Sequence, residues 1–187
     1  MKIRQSILLV GISLISFSYA APEKTDSPGE NVDRVLSPFR FEASSVLEET
    51  MNYDYRPTNA SDNQAVTAWA EGVPGDGLGE FIKFEFFASV RLSKIEIING
   101  FAEMHKTLGD LYYLNNRVKK IRLEFEDGAE EFSLADRKKS YQTLVFAKVH
   151  KSLTMKLIIL EVYAGKKWKD TCISEVKFYG SPAAPGR

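Results

Sequence analysis

The chain has 187 residues, of which 44% are hydrophobic and 27% charged, a composition typical of one globular domain. Lysine and arginine together number 25, as do aspartate and glutamate, so the formal charge is zero. Without an excess of positive charge, we expect no nucleic-acid partner and no attraction to anionic membranes. The single cysteine, Cys172, excludes an intramolecular disulfide and a multi-thiolate zinc site.

The first twenty residues have the pattern of a secretory signal peptide. Lys2 and Arg4 form a basic start, an apolar run follows from Ile7 to Phe17, and small residues stand at Ser18 and Ala20. The run is about half of the ~20 apolar residues that a membrane span needs. We therefore expect cleavage after Ala20 and no membrane insertion afterwards. A bacterial periplasm, cell surface or culture medium suits an exported chain without disulfides.

The remainder divides into a leader, a domain and a tail. Residues 21–38 contain three prolines and no apolar period, which predicts a flexible leader. The domain is predicted over residues 39–180, with a tail over 181–187. Within the domain the apolar residues repeat with a period near two, which is typical of strands. The predicted strands cover residues 81–87, 92–98, 118–125, 131–134, 143–147, 155–162 and 173–179.

These strands predict an all-β fold. The aliphatic run 155–162 is expected to be central, and Asp127-Gly128 predicts a hairpin turn because glycine accepts a positive φ. No helix longer than two turns is expected. Seven or eight short strands with punctuated loops indicate a β-sandwich jelly roll, whose loops gather at the two ends.

A glycine-rich loop stands out between Glu71 and Glu80, with four glycines in ten residues. We expect it to be ordered, because acidic and apolar residues are interleaved with the glycines. Its two glutamates could form the carboxylate pair of a glycosidase, but turn-stabilising acceptors are the favoured interpretation. The chain has no serine-hydrolase, zinc-protease or Walker motif, and His105 and His150 lack carboxylates at metal-ligand spacing. We therefore expect no enzyme activity.

Hard oxygen donors occur in the segment from Asp62 to Trp69. A carboxylate, free carbonyls and the Thr67 hydroxyl within six residues are ligands that Ca²⁺ accepts, and a distant glutamate could complete them. The alternative is that Asp62 caps a turn and Thr67 bonds its own backbone. Trp69 is expected to be buried.

Five segments resemble a known family. ASSVL (43–47), YRPTNASDNQAVTAWAEGVPGDGLGEFIKFEF (55–86), IEIINGF (95–101), NNRVKKIRLEFEDG (115–128) and LEVYAGKKWKDTCISEVKFYG (160–180) are similar to the discoidin-like domain carried by bacterial NAD glycohydrolases. That domain is itself similar to coagulation-factor discoidin domains and galactose-binding carbohydrate modules. The resemblance spans residues 41–180 and implies a glycan-binding jelly roll.

The resemblance also implies a structural Ca²⁺ held by Asp62, following backbone carbonyls, Thr67 and Glu175. One departure is Asn63, where the family often has glycine; asparagine tolerates a positive φ less freely. The NAD glycohydrolase activity is not implied, because it resides in a separate catalytic domain and only SPAAPGR follows Gly180.

A sugar site needs an aromatic face and planar hydrogen-bonding groups. The loop 101–117 offers Tyr113 as a stacking surface, with Asn116 and Arg117 as hydrogen-bonding groups. The loop 165–170 adds Trp168 and Asp170.

Other roles remain open for several of these residues. Glu71 and Glu80 are further candidate ligand contacts, while Arg117 could instead pair with an acidic residue of the glycine-rich loop. Either Tyr112 or Tyr113 could pack into the core. The predicted function is an exported, non-catalytic module that binds a carbohydrate or glycoconjugate. The alternatives are an envelope scaffold or protein-interaction domain and, less favoured, a carboxylate-dependent glycosidase.

Overall fold

A computed structural model describes residues 33–183. The predicted signal peptide, the leader residues 21–32 and the tail residues 184–187 lie outside this part of the chain. Within residues 33–183, no helix has the length and apolar character needed to cross a membrane.

Strands dominate the described residues. They are β1 (Arg34–Leu36), β2 (Arg40–Ala43), β3 (Trp69–Ala70), β4 (Phe81–Ile98), β5 (Met104–His105), β6 (Gly109–Asp110), β7 (Asn116–Phe125), β8 (Gly128–Ser133), β9 (Gln142–Tyr163), β10 (Thr171–Ile173) and β11 (Glu175–Pro182). The helices are a 3-10 turn (Pro57–Ser61) and the four-residue α1 (Leu111–Leu114). The all-β prediction is confirmed.

Nine strands form one curled sheet around the core. Its order is β1-β11-β4-β9-β7-β10-β3, with β2 also paired to β4 and β8 to β7, while β5 and β6 form a separate ribbon. Strand β10 runs parallel to β7, and the other pairs are antiparallel. Strand β9 lies between β4 and β7, which confirms its predicted central position. The curled all-β sheet gives the β-sandwich jelly roll that the sequence predicts.

Two long strands replace four predicted short ones. Strand β4 covers both 81–87 and 92–98, and β9 covers both 143–147 and 155–162. The register between them shifts after Glu85 and again after Leu92, so each strand bends at a bulge. Because each half keeps its own alternation of apolar residues, the sequence pattern shows two strands where the backbone is continuous.

The ends of the domain also differ from the prediction. Strand β1 begins at Arg34, inside the predicted leader, and pairs with β11 from Arg34 opposite Gly180 to Leu36 opposite Phe178. The predicted strand 173–179 is divided at Ser174, whose backbone N–H donates to carbonyls of Ile98 and Gly100. Pairing with β11 thus makes a strand of residues 34–36, which have no strand pattern of their own, while the hydrogen bonds of Ser174 interrupt the predicted last strand.

The sandwich core is built from alternate residues of the long strands. Phe84 and Phe86 of β4 pack edge-on against Phe178 of β11, with ring centres 4.9 and 5.3 Å apart. Trp69 is fully buried, as expected, and its indole N–H donates to the Ser45 carbonyl at 3.1 Å. Burial of such rings supplies the main stabilisation of the fold.

The predicted hairpin joins β7 to β8, and Gly128 has a φ of 148°. Buried His150 of β9 lies against this turn, with Nδ1 2.5 Å from Asp127 Oδ1 and Nε2 2.8 Å from Glu130 Oε1. Its ring stacks on Phe125 at 3.9 Å. These contacts at both ring nitrogens tie the hairpin to β9. The fold supplies the carboxylates that local sequence spacing lacks.

Candidate ligand-binding site

A small second apolar cluster lies beside the main core. Its buried members are Ala68, Ala70, Phe101, Leu111 and Cys172, with Leu47, Tyr53, Tyr55, Leu114 and Trp168 packed against it. A cavity of about 320 Å³ opens above it, within the ~300–1,000 Å³ range of small-ligand pockets. The lining residues are Leu47, Thr50, Asn52, Tyr53, Tyr55, Phe101, His105, Leu108, Leu111, Asn115, Trp168 and Asp170. We call this space the aromatic cavity.

Three chain segments meet at the aromatic cavity because of the strand pairing beneath it. Strand β10 lies between β3 and β7, which brings the loop before β10 next to the loop before β7. The segment 47–55 joins them through the Leu47 N–H, which donates to the Ala70 carbonyl of β3 at 2.9 Å. Both loops predicted to bind a sugar therefore reach the same cavity.

The cavity walls are largely aromatic. Tyr53 meets Phe101 edge-on with ring centres 5.3 Å apart and lies 6.0 Å from the His105 ring. Tyr55 also meets Phe101 edge-on, at 6.2 Å, and its ring centre lies 6.4 Å from that of Tyr53. Burial raises the pKa of Tyr55 to about 12, so its hydroxyl keeps its proton at neutral pH.

Two polar groups in the walls remain available to a ligand. His105 Nδ1 accepts hydrogen bonds from the backbone N–H groups of Thr107 and Leu108, at 3.2 and 3.1 Å. The proton of a neutral His105 ring is therefore on Nε2. The Asp170 carboxylate has no donor other than its own backbone amide among the described residues, and burial raises its pKa. An acceptor and a donor thus face ligand-sized space.

The loop that carries Trp168 and Asp170 is rigidly attached to the fold. Trp168 N–H donates to the Leu114 carbonyl at 2.9 Å, and Gly165 packs so closely that an added Cβ would lie 2.4 Å from that oxygen. Asn116 makes three hydrogen bonds to this loop: its side chain accepts from Gly165 N–H and donates to the Lys169 carbonyl, and its backbone N–H donates to the Asp170 carbonyl. Asn116 therefore positions the loop rather than facing the solvent.

Arg117, which the sequence suggests as a hydrogen-bonding group for a sugar, is buried as well, since its side chain is only 7% exposed. Nε donates to Asp136 Oδ1 at 2.9 Å, and Nη1 donates to the carbonyls of Tyr112 and Asn115, both at 3.2 Å. Its ion-pair partner is thus Asp136 and not an acid of the glycine-rich loop. A guanidinium with these partners has a structural role.

Tyr113 lies outside the cavity lining. Its half-buried ring meets Tyr112 edge-on at 5.3 Å, and the cations of Arg117 and Lys166 each lie 5.8 Å from its centre. Tyr112 is fully buried and donates to Asn99 Oδ1 at 2.8 Å, which confirms that one of the two tyrosines packs into the core. Stacking of a ligand on Tyr113 remains a prediction that the cavity does not explain.

Glu71 and Glu80 hold the backbone in place. Buried Glu71 accepts hydrogen bonds from the N–H groups of Thr171 and Val73, at 3.0 and 2.9 Å, and burial raises its pKa. Glu80 Oε2 accepts from Ser44 and Ser45. Neither lines the aromatic cavity, so we assign both to structural contacts, as the favoured interpretation expects.

The glycine-rich loop is ordered, as predicted. Gly79 N–H donates to the Ile159 carbonyl at 2.8 Å, and Asp76 accepts from the Asn116 amide at 3.1 Å. Gly77 has a φ of 65° and lies against Glu71, where an added Cβ would be 2.5 Å from the glutamate side chain. Glycine is required here by both conformation and contact.

The three predicted metal ligands form one cluster. Asp62 Oδ2 and the Gln64 carbonyl each lie 2.8 Å from the Thr67 hydroxyl, which has only one proton to donate. Glu175 is 1% exposed, and its Oε2 has no hydrogen-bond partner in the described part of the chain. Burial and then repulsion from Asp62 raise the pKa of Glu175 to about 7. Asn63 adopts a φ of 65°, the conformation that its position was expected to require.

This cluster fits Ca²⁺ in its donor chemistry. An orphaned buried carboxylate oxygen, a second carboxylate and neutral oxygens are the hard ligands that calcium takes. Residues 33–183 contain no group of three His, Cys, Asp or Glu side chains arranged to hold a metal. The donor set would therefore be two carboxylates completed by hydroxyl and carbonyl oxygens.

Comparison with known families decides the classification. The family model described as the NAD glycohydrolase translocation F5/8 type C domain matches residues 36–179. The chain belongs to this family. No curated protein sequence matches it.

Solved structures similar to this F5/8 type C domain include several carbohydrate-binding modules. The family 32 module of Clostridium perfringens NanJ, in complex with galactose, has 17% identity and a TM-score of 0.55 over 79% of this chain and 99% of that chain. The CBM32 of AlyQ, in complex with 4,5-unsaturated mannuronic acid, has 12% identity and a TM-score of 0.54, covering 78% and 97% of the two chains.

A third similar structure is CBM32-3 from a family 31 glycoside hydrolase of Clostridium perfringens. It has 15% identity and a TM-score of 0.59, covering 78% of this chain and 90% of that chain. At these identities the likeness shows a shared fold, and it supports the jelly-roll assignment of the F5/8 type C domain.

Sequence reasoning missed part of the site of this F5/8 type C domain. Thr50, Asn52, Tyr53 and Tyr55 line the cavity, although the segment was not assigned to binding. Two tyrosines separated by one residue in a turn-rich segment were the available signal. Asn52, Tyr53 and His105 also line a neighbouring depression of about 500 Å³ that includes Glu103 and Lys106.

Proposed function

We propose that this F5/8 type C domain is an exported, non-catalytic module that binds a carbohydrate or glycoconjugate in the aromatic cavity. The observation that carries the proposal is the cavity itself, where tyrosine, phenylalanine and tryptophan rings surround unpaired polar groups on rigidly attached loops. Aromatic faces suit the C–H side of a sugar ring, and directional donors and acceptors suit its hydroxyls.

The size of the site supports a ligand longer than one sugar. The aromatic cavity and the neighbouring depression share Asn52, Tyr53 and His105, so a chain could pass from one to the other. The similar modules of NanJ and AlyQ were solved with galactose and with an unsaturated mannuronic acid. Those ligands differ in charge, so the ligand here has to follow from this chain's own residues.

A glycan array with the mature chain tests this function. We expect retention of a defined set of glycans and its loss in Trp168→Ala, because truncation removes an aromatic wall of the cavity. Phe87→Ala is the matched control, since this phenylalanine is 89% exposed and lies outside the cavity. Equal retention by both variants would place the glycan elsewhere. An array without any retained glycan, with specific capture of an envelope protein, would favour the protein-interaction alternative.

We also propose that Asp62, Thr67 and Glu175 bind a structural Ca²⁺. Support comes from the orphaned Glu175 oxygen and the cluster of acceptors around the Thr67 hydroxyl. When bound, the ion would neutralise two neighbouring carboxylates and fix the segment that leads into β3. Because only the folded state offers this site, Ca²⁺ should raise the melting temperature of the wild type but not of Asp62→Ala. A wild-type melt unaffected by Ca²⁺ or chelator would contradict the proposal.

A further inference from the structure

The aromatic cavity is bordered by a carboxylate that has no ion-pair partner among the described residues. No lysine or arginine is among its lining residues in the described chain. Asp170 is half-buried in its wall, and no salt bridge within residues 33–183 involves it. A carboxylate removed from water in this way is costly unless a donor or cation reaches it.

A second carboxylate, Glu71, lies close enough to Asp170 to feel its charge but does not line the cavity. Glu71 is fully buried, accepts from the backbone N–H of Thr171 and has no salt bridge in the described structure. Its charge and that of Asp170 repel each other, which adds to the effect of burial in raising the pKa of Glu71. Burial, followed by these same two carboxylates, also raises the pKa of the Cys172 thiol beneath the cavity. Among the described residues, Asp170 is therefore the carboxylate that borders the cavity, and Glu71 adds negative charge behind it.

The walls favour the same kind of ligand. Aromatic faces attract ammonium groups, and a carboxylate beside several rings is well suited to bind one. Tyr53, Phe101 and Trp168 supply rings around the cavity that Asp170 borders. A carboxylate-bearing sugar would meet repulsion here, whereas a protonated amine would pair with Asp170.

We propose that the preferred ligand is a glycan with a protonated primary amine, as in an unacetylated amino sugar, and that Asp170 receives this amine. The inference rests on the proposed glycan-binding function and specifies its ligand class. N-acetylation would remove the charge and add bulk, so the acetylated form of the same sugar should bind more weakly.

Lys167 lies near the cavity and provides an independent test of the electrostatic argument. Lys167 Nζ lies 4.4 Å from the Trp168 ring but does not line the cavity. Its charge should oppose an incoming amine. Replacing it with glutamine should therefore strengthen amine binding and weaken the binding of acidic sugars.

The experiment is isothermal titration with three oligosaccharides of equal length: glucosamine, N-acetylglucosamine and mannuronate oligomers. At about pH 6 the amine is protonated, since comparable α-amino groups have pKa values of ~7.7–8.0. We expect the glucosamine oligomer to bind at least ~10-fold more tightly than the other two, by a margin that shrinks with added salt. Asp170→Asn should remove this preference while leaving the melting temperature near that of the wild type, and Lys167→Gln should increase it.

Two outcomes would overturn the inference. One is an acetylated or acidic oligomer that binds as tightly as glucosamine; the other is an Asp170→Asn variant that weakens all three equally. If neutral sugars bind in a Trp168-dependent way without an amine preference, this inference fails and the glycan-binding function stands. If none of the three binds and the glycan array is also empty, the proposed function itself fails.

Discussion

Arg117 provides the sharpest test of the structure, because the sequence favours a solvent-facing ligand contact and the structure makes it a buried support. In Arg117→Ala the guanidinium loses Asp136 and the carbonyls of Tyr112 and Asn115. Nη2 also donates to the Ala164 carbonyl at 3.4 Å, at the start of the loop that carries Trp168.

The magnitude follows from these contacts. Removing one partner of a buried ion pair costs ~3–5 kcal/mol, and the lower end applies here because Asp136 is partly exposed and keeps a hydrogen bond from Arg137 N–H. We therefore expect a loss of ~3 kcal/mol, or a fall of ~6–12 °C in melting temperature for a domain of this size. Lys119→Ala is the control on the same strand, because the exposed Lys119–Glu161 pair is screened by solvent and should contribute little to stability.

Urea denaturation followed by circular dichroism measures the stability, and glycan retention is measured well below the melting temperature. The structural role predicts a destabilised Arg117→Ala that still retains the glycan when folded. A variant with wild-type stability and no glycan retention would refute this reasoning and restore the direct binding role.

Three further predictions concern the metal cluster, the glycine-rich loop and export. Without Ca²⁺, the raised pKa of Glu175, about 7 against an ordinary 4.5, means that the folded state holds a proton that the unfolded state has lost. The free energy of unfolding of the wild type should then fall by about 1–3 kcal/mol as the pH rises from 4.5 to 7. The Glu175→Gln variant should lack this fall and should gain no stability from added Ca²⁺. Identical pH profiles of the two proteins would contradict the raised pKa of Glu175. Gly77→Ala should lower the free energy of unfolding in urea by ~1–3 kcal/mol more than Gly75→Ala does, because both glycines have a positive φ but only Gly77 lies against Glu71. Equal losses of stability in the two variants would argue against the contact with Glu71. Protein recovered outside the cytoplasm should have the intact mass of a chain starting at Ala21, and a mass that includes Met1 would exclude cleavage.

Much of the architecture could be predicted from the sequence because it depends on local patterns. Apolar alternation indicated strands, and the Asp127-Gly128 pair placed a hairpin where Gly128 has a positive φ. The sequence spacing of Asp62 and Thr67 also indicated that these side chains meet, as they do at 2.8 Å, and family resemblance supplied Glu175; calcium binding by these residues stays a prediction.

The tertiary structure alone decided which polar groups are available to a ligand. Asn116 and Arg117 resemble solvent-facing binding residues in sequence, yet strand pairing buries both and gives every polar atom of their side chains an internal partner or near neighbour. Tyr53 approaches Phe101, and both share a cavity with Asp170, only because β10 lies between β3 and β7. Burial and the balance of charge depend on contacts between residues distant in the chain, so the position of an unpaired carboxylate beside aromatic rings appears only in the folded protein.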